Sequence, residues 1–330
     1  MEIPMQLINE KDLYDCYEYG LVNILLNYGL DFEYVLSESM NIQLSEEALH
    51  NYFEISNRNF FLIPNITKLS EKYFDIIFQR ISRSNIANLV ACVKHELLAG
   101  RVVLVNIDLY YDNSRIDFYK KKHWKNHYRI VTGIEDDYVV LYNWNNRYLM
   151  SYQDFERGVC ELVLHFKKRN NVINTTIDVT RLENSLQSIV HLYTTLKWTK
   201  KLEMWGKSFS QINFPEMLQP NSNLLGNALF NDIRTLVRSR ERYLIYMKKE
   251  FLSLDRESRI IIILADIVKK YQLMKMFMLK EEKYYLKNGW MNPSFRLSKK
   301  LKEHLDEVVS LEQQFLIETN VYLKDHYQYL

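Results

Sequence analysis

The sequence predicts an α+β protein in which helices and one antiparallel sheet are followed by an all-helical bundle. Two observations predict this class. Short runs of β-branched and aromatic residues lie between about residues 102 and 166, whereas beyond about residue 175 only long amphipathic patterns with helical spacing remain. The chain has 330 residues, which exceeds the usual size of one domain. We therefore expect two domains, over residues 1–170 and 171–330.

The first predicted element is a buried helix that begins at Cys16. Apolar residues follow it at helical intervals, and Gly29 suits the left-handed position at a helix C-terminus. A second helix is predicted over residues 84–100, with Ser84 as its N-cap and Gly100 just past its end.

Four short runs then predict strands that pair in one antiparallel sheet. They cover residues 102–108, 127–134, 138–144 and 160–166. Residues 135–137 are acidic and predict the turn between the second and third strands. Ser151 and Asp154 have capping-box spacing, which predicts a short helix before the last strand.

The C-terminal half predicts four amphipathic helices. They lie near residues 180–203, 222–252, 256–287 and 293–326. Thr180 and Glu183 have capping-box spacing, and Asn292-Pro293 places a proline at the first helical position behind an asparagine cap.

Composition and charge exclude several classes of function. The net charge of +2 offers no field that would recruit nucleic acid or an anionic membrane. The apolar run over residues 260–271 is interrupted by charges well short of the roughly 20 residues that a membrane span needs. The N-terminal residues lack the basic and apolar regions of a secretory signal. These features predict a cytoplasmic protein.

The three cysteines do not form a disulfide framework or a metal-binding spacing. Cys92 lies on an apolar helix and Cys160 on a strand, so both are predicted to be core residues. Cys16 differs because it starts a helix, where unpaired N–H groups stabilise a thiolate and lower its pKa. We predict that Cys16 is a nucleophile.

A thiol nucleophile needs a base, and the base is usually oriented by a third polar group. His127 opens a strand and is the predicted base. Asn143 lies near the end of the strand that pairs with it, and the two ends of a hairpin are adjacent in space. Asn143 is therefore the predicted third member.

The residues around these positions resemble two known groups of enzymes. The segment DCYEYGLVNILLNYG is similar to the nucleophile helix of bacteriocin-processing, double-glycine-leader cysteine peptidases. The segment VNIDLYYDNSRIDFYKKKHWKNHYRIVTGIEDDYVVLYNW resembles the N-terminal domain of the butirosin acyltransferase family, which includes the amide-forming enzyme of closthioamide assembly. The resemblance covers roughly residues 12–166 and implies a papain-like fold.

The resemblance implies the same roles for Cys16, His127 and Asn143 as nucleophile, base and orienting residue. Two positions depart from the families' pattern. The third member is often Asp there and is Asn here, and Glu10 stands where the peptidases have an oxyanion-stabilising Gln. Gln6 and Asn9 are the nearest amides.

The absent glutamine favours thioester chemistry, because a thioester carbonyl is already activated toward a thiol whereas amide cleavage depends on oxyanion stabilisation. The leading hypothesis is an acyltransferase of natural-product or antibiotic biosynthesis. It moves an acyl group from an acyl or peptidyl carrier protein to Cys16 and then to a small amine. No cofactor is expected, since phosphopantetheine arrives on the carrier.

Two local features suit such a reaction. Asp108, followed by Tyr110, is predicted to hold the cationic amine. A lysine cluster just before His127 is predicted to meet an acidic carrier protein. Its members are Lys120, Lys121, Lys122 and Lys125.

Two other functions remain open from the sequence. One is a cysteine peptidase or amidohydrolase that trims a leader peptide or a small amide. The other is a non-catalytic binding protein that keeps the fold. For the helical half, a lid or acceptor-binding role is favoured, and packing of a homodimer is an alternative.

Overall fold

The computed structural model describes residues 1–8, 13–30, 32–44, 61–62, 64–168, 179–209, 228–253, 258–288 and 294–327. The chain divides into two compact units. The sheet unit comprises Met1–Val35 and Asn65–Thr175, and the helical unit comprises Leu36–Pro64 and Thr176–Leu330.

The sheet unit contains one six-stranded antiparallel sheet in the order β3-β8-β4-β5-β6-β7. Its strands are β3 (Ile76–Ser82), β4 (Val103–Ile107), β5 (His127–Glu135), β6 (Tyr138–Asn143), β7 (Asn146–Ser151) and β8 (Val159–Lys167). The helices that accompany it are α1 (Cys16–Asn27), α2 (Glu33–Leu36), α3 (Ile66–Phe74), α4 (Leu89–Leu98) and α5 (Tyr152–Gly158).

The two faces of this sheet have different neighbours. One face carries Val103, Val105 and Val131, which are fully buried in a cluster with apolar residues of α4 and α5. Helix α1 lies on the other face, where a Cβ on Gly20 would come within 2.3 Å of Leu104 Cδ1. A side chain at position 20 would push α1 off the sheet, so glycine is required there.

Local sequence fixes where α1 begins. The Asp15 side chain accepts a hydrogen bond from Glu18 N at 2.8 Å, and the Glu18 carboxylate accepts one from Asp15 N at 3.2 Å. This capping box satisfies two backbone N–H groups and makes Cys16 the first helical residue. Helix α1 ends before Gly29, whose φ of +68° is the predicted left-handed conformation.

The helical unit holds a two-stranded sheet, β1 (Gln43–Leu44) with β2 (Phe61–Leu62), and five helices among its described residues. The helices are α6 (Val179–Thr194), α7 (Trp198–Ser208), α8 (Ala228–Ser253), α9 (Arg259–Asn288) and α10 (Ser294–Tyr327). Its core contains a fully buried ion pair in which Arg240 Nε and Nη2 donate to Glu312 Oε1 at 3.0 and 2.9 Å.

The predicted α+β class with an antiparallel sheet and a helical C-terminal region is confirmed. The four predicted strands are present with ends shifted by at most one residue. Ser151 caps α5 by accepting from Asp154 N, as predicted. Strands β3 and β7 and helix α3 were not predicted.

Three helix predictions were wrong in detail. Asn88, not Ser84, caps α4, because residues 83–85 form a separate 3₁₀ turn. The single helix over residues 180–203 is two helices, since Lys197 adopts φ +52° and breaks it. Thr180 lies inside α6, which begins at Val179. The Asn292-Pro293 cap lies outside the described residues.

The described chain contains no helix that is both long and apolar enough to cross a membrane. The expected domain boundary at residue 170 stays a prediction. Leu36–Pro64 belongs to the helical unit, which no local pattern predicted.

Candidate active site at Cys16

Cys16 lies beside the first residues of β5. Its Sγ accepts a hydrogen bond from Tyr128 N at 3.5 Å and lies 4.0 Å from Asn126 O. Pairing of β5 with β6 ends at Ile130 and Tyr142, so the Tyr128 N–H lies beyond that ladder. The thiol therefore contacts the backbone on both sides of His127, more than 100 residues away in sequence.

The His127 imidazole lies on the sheet face opposite to α1. His127 is paired with Ile107 in register, and Arg129 with Val105, so both side chains are on the face that carries the α4 cluster. His127 Nε2 is buried, and no described residue forms a hydrogen bond with it. No hydrogen bond joins His127 to Cys16 in the part of the chain that the structure describes.

Asn143 ends β6 and is held by a different group from the one predicted. Its Nδ2 donates to Ser114 Oγ at 3.1 Å, and Ser114 Oγ donates to Asp112 Oδ1 at 2.7 Å. Asn143 Oδ1, the atom expected to accept from the imidazole, is buried without a partner among the described residues. The backbone thus places the three predicted residues close to one strand end without joining their side chains.

A buried ion pair supports this polar group. Asp112 Oδ2 lies 2.7 Å from Arg129 Nη2, and the two residues are 0% and 1% exposed. Their alignment falls outside hydrogen-bond geometry, although Arg129 Nη1 donates to Tyr128 O at 2.9 Å. The sequence analysis missed Asp112, Ser114 and Arg129, because their partnership depends on a loop whose path has no periodic signal.

The electrostatics of the free protein keep both predicted reactive groups neutral. Burial raises the pKa of the Cys16 thiol, and this effect outweighs the Tyr128 N–H and the Arg129 charge, which lower it. The prediction that the helix N-terminus leaves Cys16 with a lowered pKa is therefore wrong. Burial, followed by the charges of Arg129 and Arg115, lowers the pKa of His127 from 6.5 to about 3.

Asp108 has a partner that the sequence analysis did not anticipate. His123 Nδ1 lies 2.8 Å from Asp108 Oδ2, while the N–H groups of Tyr110 and Trp124 donate to Oδ1. Burial raises the pKa of Asp108, but these hydrogen bonds outweigh it and leave the pKa below its ordinary value. Asp108 is therefore held by His123 and two backbone N–H groups, and its role in holding a cationic amine stays a prediction.

His123 is the more accessible of the two histidines near the site. Its side chain is 63% exposed, and its ring stacks on Tyr110 with centroids 4.3 Å apart. An imidazole oriented by a buried carboxylate is the arrangement of many catalytic bases. Sequence spacing alone does not reveal the pairing of Asp108 with His123, because the two residues lie on either side of one loop.

The four lysines before His127 are exposed and differ in their contacts, and their docking role stays a prediction. Lys120 forms an ion pair with Asp154, and Lys121 Nζ donates to Ile116 O at 3.1 Å. Lys122 lies over the Trp124 ring at 5.6 Å. Among the described residues, Lys122 and Lys125 contact neither a carboxylate nor a carbonyl oxygen.

The remaining predicted positions add little to the site. Glu10 and Asn9 lie outside the described residues, and Gln6 is exposed, with its backbone oxygen accepting from Asn27. The three cysteines form no disulfide. Cys92 and Cys160, predicted to be core residues, are only partly buried, and Cys92 packs against the apolar cluster. Within the described ranges, no group of three His, Cys, Asp or Glu residues is placed to hold a metal ion.

The crevice that contains Cys16 is small. Tyr19, Tyr142, Asn143 and Trp144 line it with the thiol, and its volume is about 10 Å³. The sequence matches no known family model and no curated protein. The chemistry of the site therefore has to be argued from the residues themselves.

What the arrangement can do follows from its parts. A thiol at a helix N-terminus is available to a ligand that approaches along the strand end, and the neighbouring N–H groups are donors for a negative charge that develops there. Two histidines, one buried and one exposed, flank the same short segment. Cys16 as nucleophile and His127 as base stay predictions, and His123 is a second histidine to test.

Proposed function

We propose that the sheet unit is a papain-like thiol acyltransferase that forms an amide through an acyl-Cys16 intermediate. The position of Cys16 carries the proposal. Cys16 is the first residue of a capped helix, its Sγ accepts from the N–H of Tyr128 next to His127, and it lines one crevice with Asn143.

In the first half-reaction, Cys16 Sγ attacks the carbonyl carbon of a carrier-bound thioester. The Cys16 proton passes to the base, the carbon–sulfur bond to the carrier's phosphopantetheine breaks, and the departing thiolate takes that proton. The Tyr128 N–H, already directed at Sγ, stabilises the thiolate as it forms. No external cofactor is needed, since the acyl group is activated before it arrives.

In the second half-reaction, a small amine attacks the acyl-Cys16 carbonyl. The new carbon–nitrogen bond forms, Cys16 leaves as thiolate, and the proton lost from nitrogen returns to sulfur through the base. A neutral imidazole accepts a proton, and burial keeps His127 neutral at physiological pH. The imidazole lies on the sheet face opposite to α1, so the proposal requires the backbone at the start of β5 to rearrange when substrate binds and bring the ring to Sγ. Catalytic hydrogen bonds are often absent in free enzymes.

A carrier protein and an amine are the proposed partners. In this proposal the carrier protein has an acidic surface around its phosphopantetheine arm. Lys122 and Lys125 are exposed cations near His127 in sequence and would contact that surface. The amine is assigned to Asp108 with Tyr110 in this proposal, and His123 orients that carboxylate. A reducing, cytoplasmic setting and a role in natural-product assembly stay predictions of the same proposal.

The test uses the full chain, an acylated carrier protein and an added primary amine. The proposal expects release of the carrier thiol and an amide product that both disappear in Cys16→Ala and persist in the matched variant Cys92→Ala. Carrier thiol release at an equal rate without amine, with free acid as the product, would identify a hydrolase instead. Amide formation by Cys16→Ala at the wild-type rate would overturn the proposal.

A non-catalytic binding protein is the second candidate, and one observation favours it. Cys16 and His127 are not hydrogen-bonded, and burial raises the pKa of the thiol. A protein of this kind would bind the acylated carrier without releasing its thiol. Tight binding with no turnover in either the presence or the absence of amine would support this candidate over the enzyme.

A further inference from the structure

The helical unit contains a cavity of about 750 Å³ that lies outside the site described above. This volume falls in the range of roughly 300 to 1,000 Å³ that small-molecule sites occupy. The crevice at Cys16 has a volume of about 10 Å³, so the larger space is not part of it. A space of this size among the described residues of the helical unit can hold a small molecule.

The helix α6 supplies one wall of the cavity from a single face. Its lining positions are spaced at i, i+3, i+4 and i+7, which is one stripe of an α-helix. They are Asn184, Gln187, Ser188 and His191. The opposite stripe of α6 is buried in the unit, with Leu182, Leu186 and Ile189 at most 1% exposed. Helix α6 therefore has a buried apolar stripe on one side and a polar stripe that lines the cavity on the other.

Helix α7, which follows the turn after α6, forms a second wall of the cavity. Lys197 adopts φ +52°, and α7 then presents Trp198 and Lys201 to the same space. Ile42 from the segment before β1 and Leu192 from α6 complete an apolar side. The lining thus has an apolar part with an aromatic ring and a polar part with two basic groups.

The charge of the lining is one-sided. His191 and Lys201 are its ionisable members, and none of the residues that line it is Asp or Glu. Among the described residues, neither basic side chain forms an ion pair or a hydrogen bond. The nearest carboxylate on α6 is Glu183, which accepts from Gln187 Nε2 at 2.9 Å and lies outside the lining. Basic groups without an acidic partner among the described residues can bind an anion from solution.

We propose that this cavity binds an amphipathic anion, with its carboxylate or phosphate between Lys201 and His191 and its apolar part against Leu192 and Trp198. The side-chain amides and the Ser188 hydroxyl donate to the remaining headgroup oxygens. The proposal stands independently of acyl transfer at Cys16, because it rests on residues of the helical unit alone.

The test is calorimetric titration of the full chain with octanoate and with octyl phosphate, and with octan-1-ol as the neutral control. One site per chain is expected for the anions, and at least about tenfold weaker binding for octan-1-ol, since a hydrogen bond to a charged group contributes about 1.5 to 3 kcal/mol. The two anions distinguish a carboxylate from a phosphate as the preferred headgroup.

Variants place the site. Lys201→Gln is expected to weaken anion binding about tenfold, and Ser188→Trp, which fills the cavity, is expected to abolish it. The matched variant Lys200→Gln changes an exposed neighbour on α7 that does not line the cavity, so it should bind like wild type. Circular dichroism spectra of each variant, compared with wild type, check that the fold is kept. Equal binding of octan-1-ol, no binding of either anion below its micelle concentration, or an equal loss in Lys200→Gln would overturn the proposal.

Discussion

The crevice at Cys16 and the cavity at Trp198 differ in volume and in the chemical groups that line them. The crevice contains the Cys16 thiol and, among the described residues, a buried Asn143 oxygen without a partner, yet its volume is only about 10 Å³. The cavity has a volume of about 750 Å³ and two basic groups, and the residues that line it include no cysteine. The proposed reactive thiol and the larger binding space therefore belong to different units of the chain. Substitutions in one unit should therefore affect the proposed acyl transfer, and substitutions in the other should affect the proposed ligand binding, without affecting both.

The largest expected effect comes from the two buried ion pairs, one in each unit. Asp112→Asn leaves Arg129 buried without its counter-charge, and Glu312→Gln does the same to Arg240. Each change should lower the free energy of unfolding by about 3 to 5 kcal/mol, because an unpaired buried charge is costly. Hydrogen exchange followed by mass spectrometry should show faster exchange in β5 and β6 for the first variant, and in α8 and α10 for the second.

The exposed carboxylates Asp117 and Glu303 provide matched controls for these variants. Asp117→Asn and Glu303→Gln should leave exchange unchanged. Faster exchange throughout the chain in both ion-pair variants would contradict the independence of the two units.

The next effect separates the two candidate bases. His127→Ala should reduce acyl transfer by about 10²-fold or more, the usual contribution of a general base. His123→Ala should reduce it much less if His127 is the base, since His123 is tied to Asp108. Single-turnover transfer rates of both variants, with His95→Ala as an exposed control, provide the measurement. A larger loss in His123→Ala would reassign the base and leave Cys16 as the nucleophile.

A smaller effect is an acid sensitivity confined to the sheet unit. The pKa of folded His127 is lowered to about 3 and that of His165 to about 4, in both cases chiefly by burial. Unfolded imidazoles take up protons near pH 6.5, so the unfolded state binds more protons than the folded state below that pH. The free energy of unfolding should therefore fall as the pH is lowered from about 6.5 toward 4.

Urea unfolding at pH 7.5 and at pH 5 measures this loss of stability. His127→Gln should reduce the difference between the two pH values, whereas His95→Gln, at an exposed position, should not. A pH dependence that is unchanged in His127→Gln would show that its imidazole is not buried in neutral form.

The smallest effect concerns the lysines. Lys122→Glu combined with Lys125→Glu should raise KM for the carrier about two- to fivefold and leave kcat unchanged, because exposed charges contribute about 0.2 to 1 kcal/mol each. The effect should shrink at high salt. Lys94→Glu on α4 is the control, being exposed and distant in sequence. An equal change in KM for this control would exclude a specific docking surface.

Local signals explain what the sequence predicted well. The start of α1 at Cys16 depends on a capping box between Asp15 and Glu18, and the ends of β5 and β6 depend on a turn of acidic residues between them. These features are encoded within a few residues, so one sequence is sufficient to find them.

Long-range partnerships explain what it missed. Strand β8 pairs between β3 and β4, far from both of its neighbours in sequence, so β3 had no local partner to reveal it. The sequence also does not show that the imidazole of His127 and the Cys16 helix lie on opposite faces, because that depends on strand register. The pairs of Asp108 with His123 and Asp112 with Arg129 cross a loop without periodicity.

The central claim, that Cys16 carries the acyl group, is tested most directly by peptide mapping. The full chain is mixed with an acylated carrier protein in the absence of amine, quenched in acid and digested for mass spectrometry. We expect the acyl mass on the peptide that contains Cys16, and its loss when a primary amine is added before the quench. An acyl mass on Cys92 or Cys160 in place of Cys16, or no acyl mass on any cysteine while amide is being formed, would contradict the account.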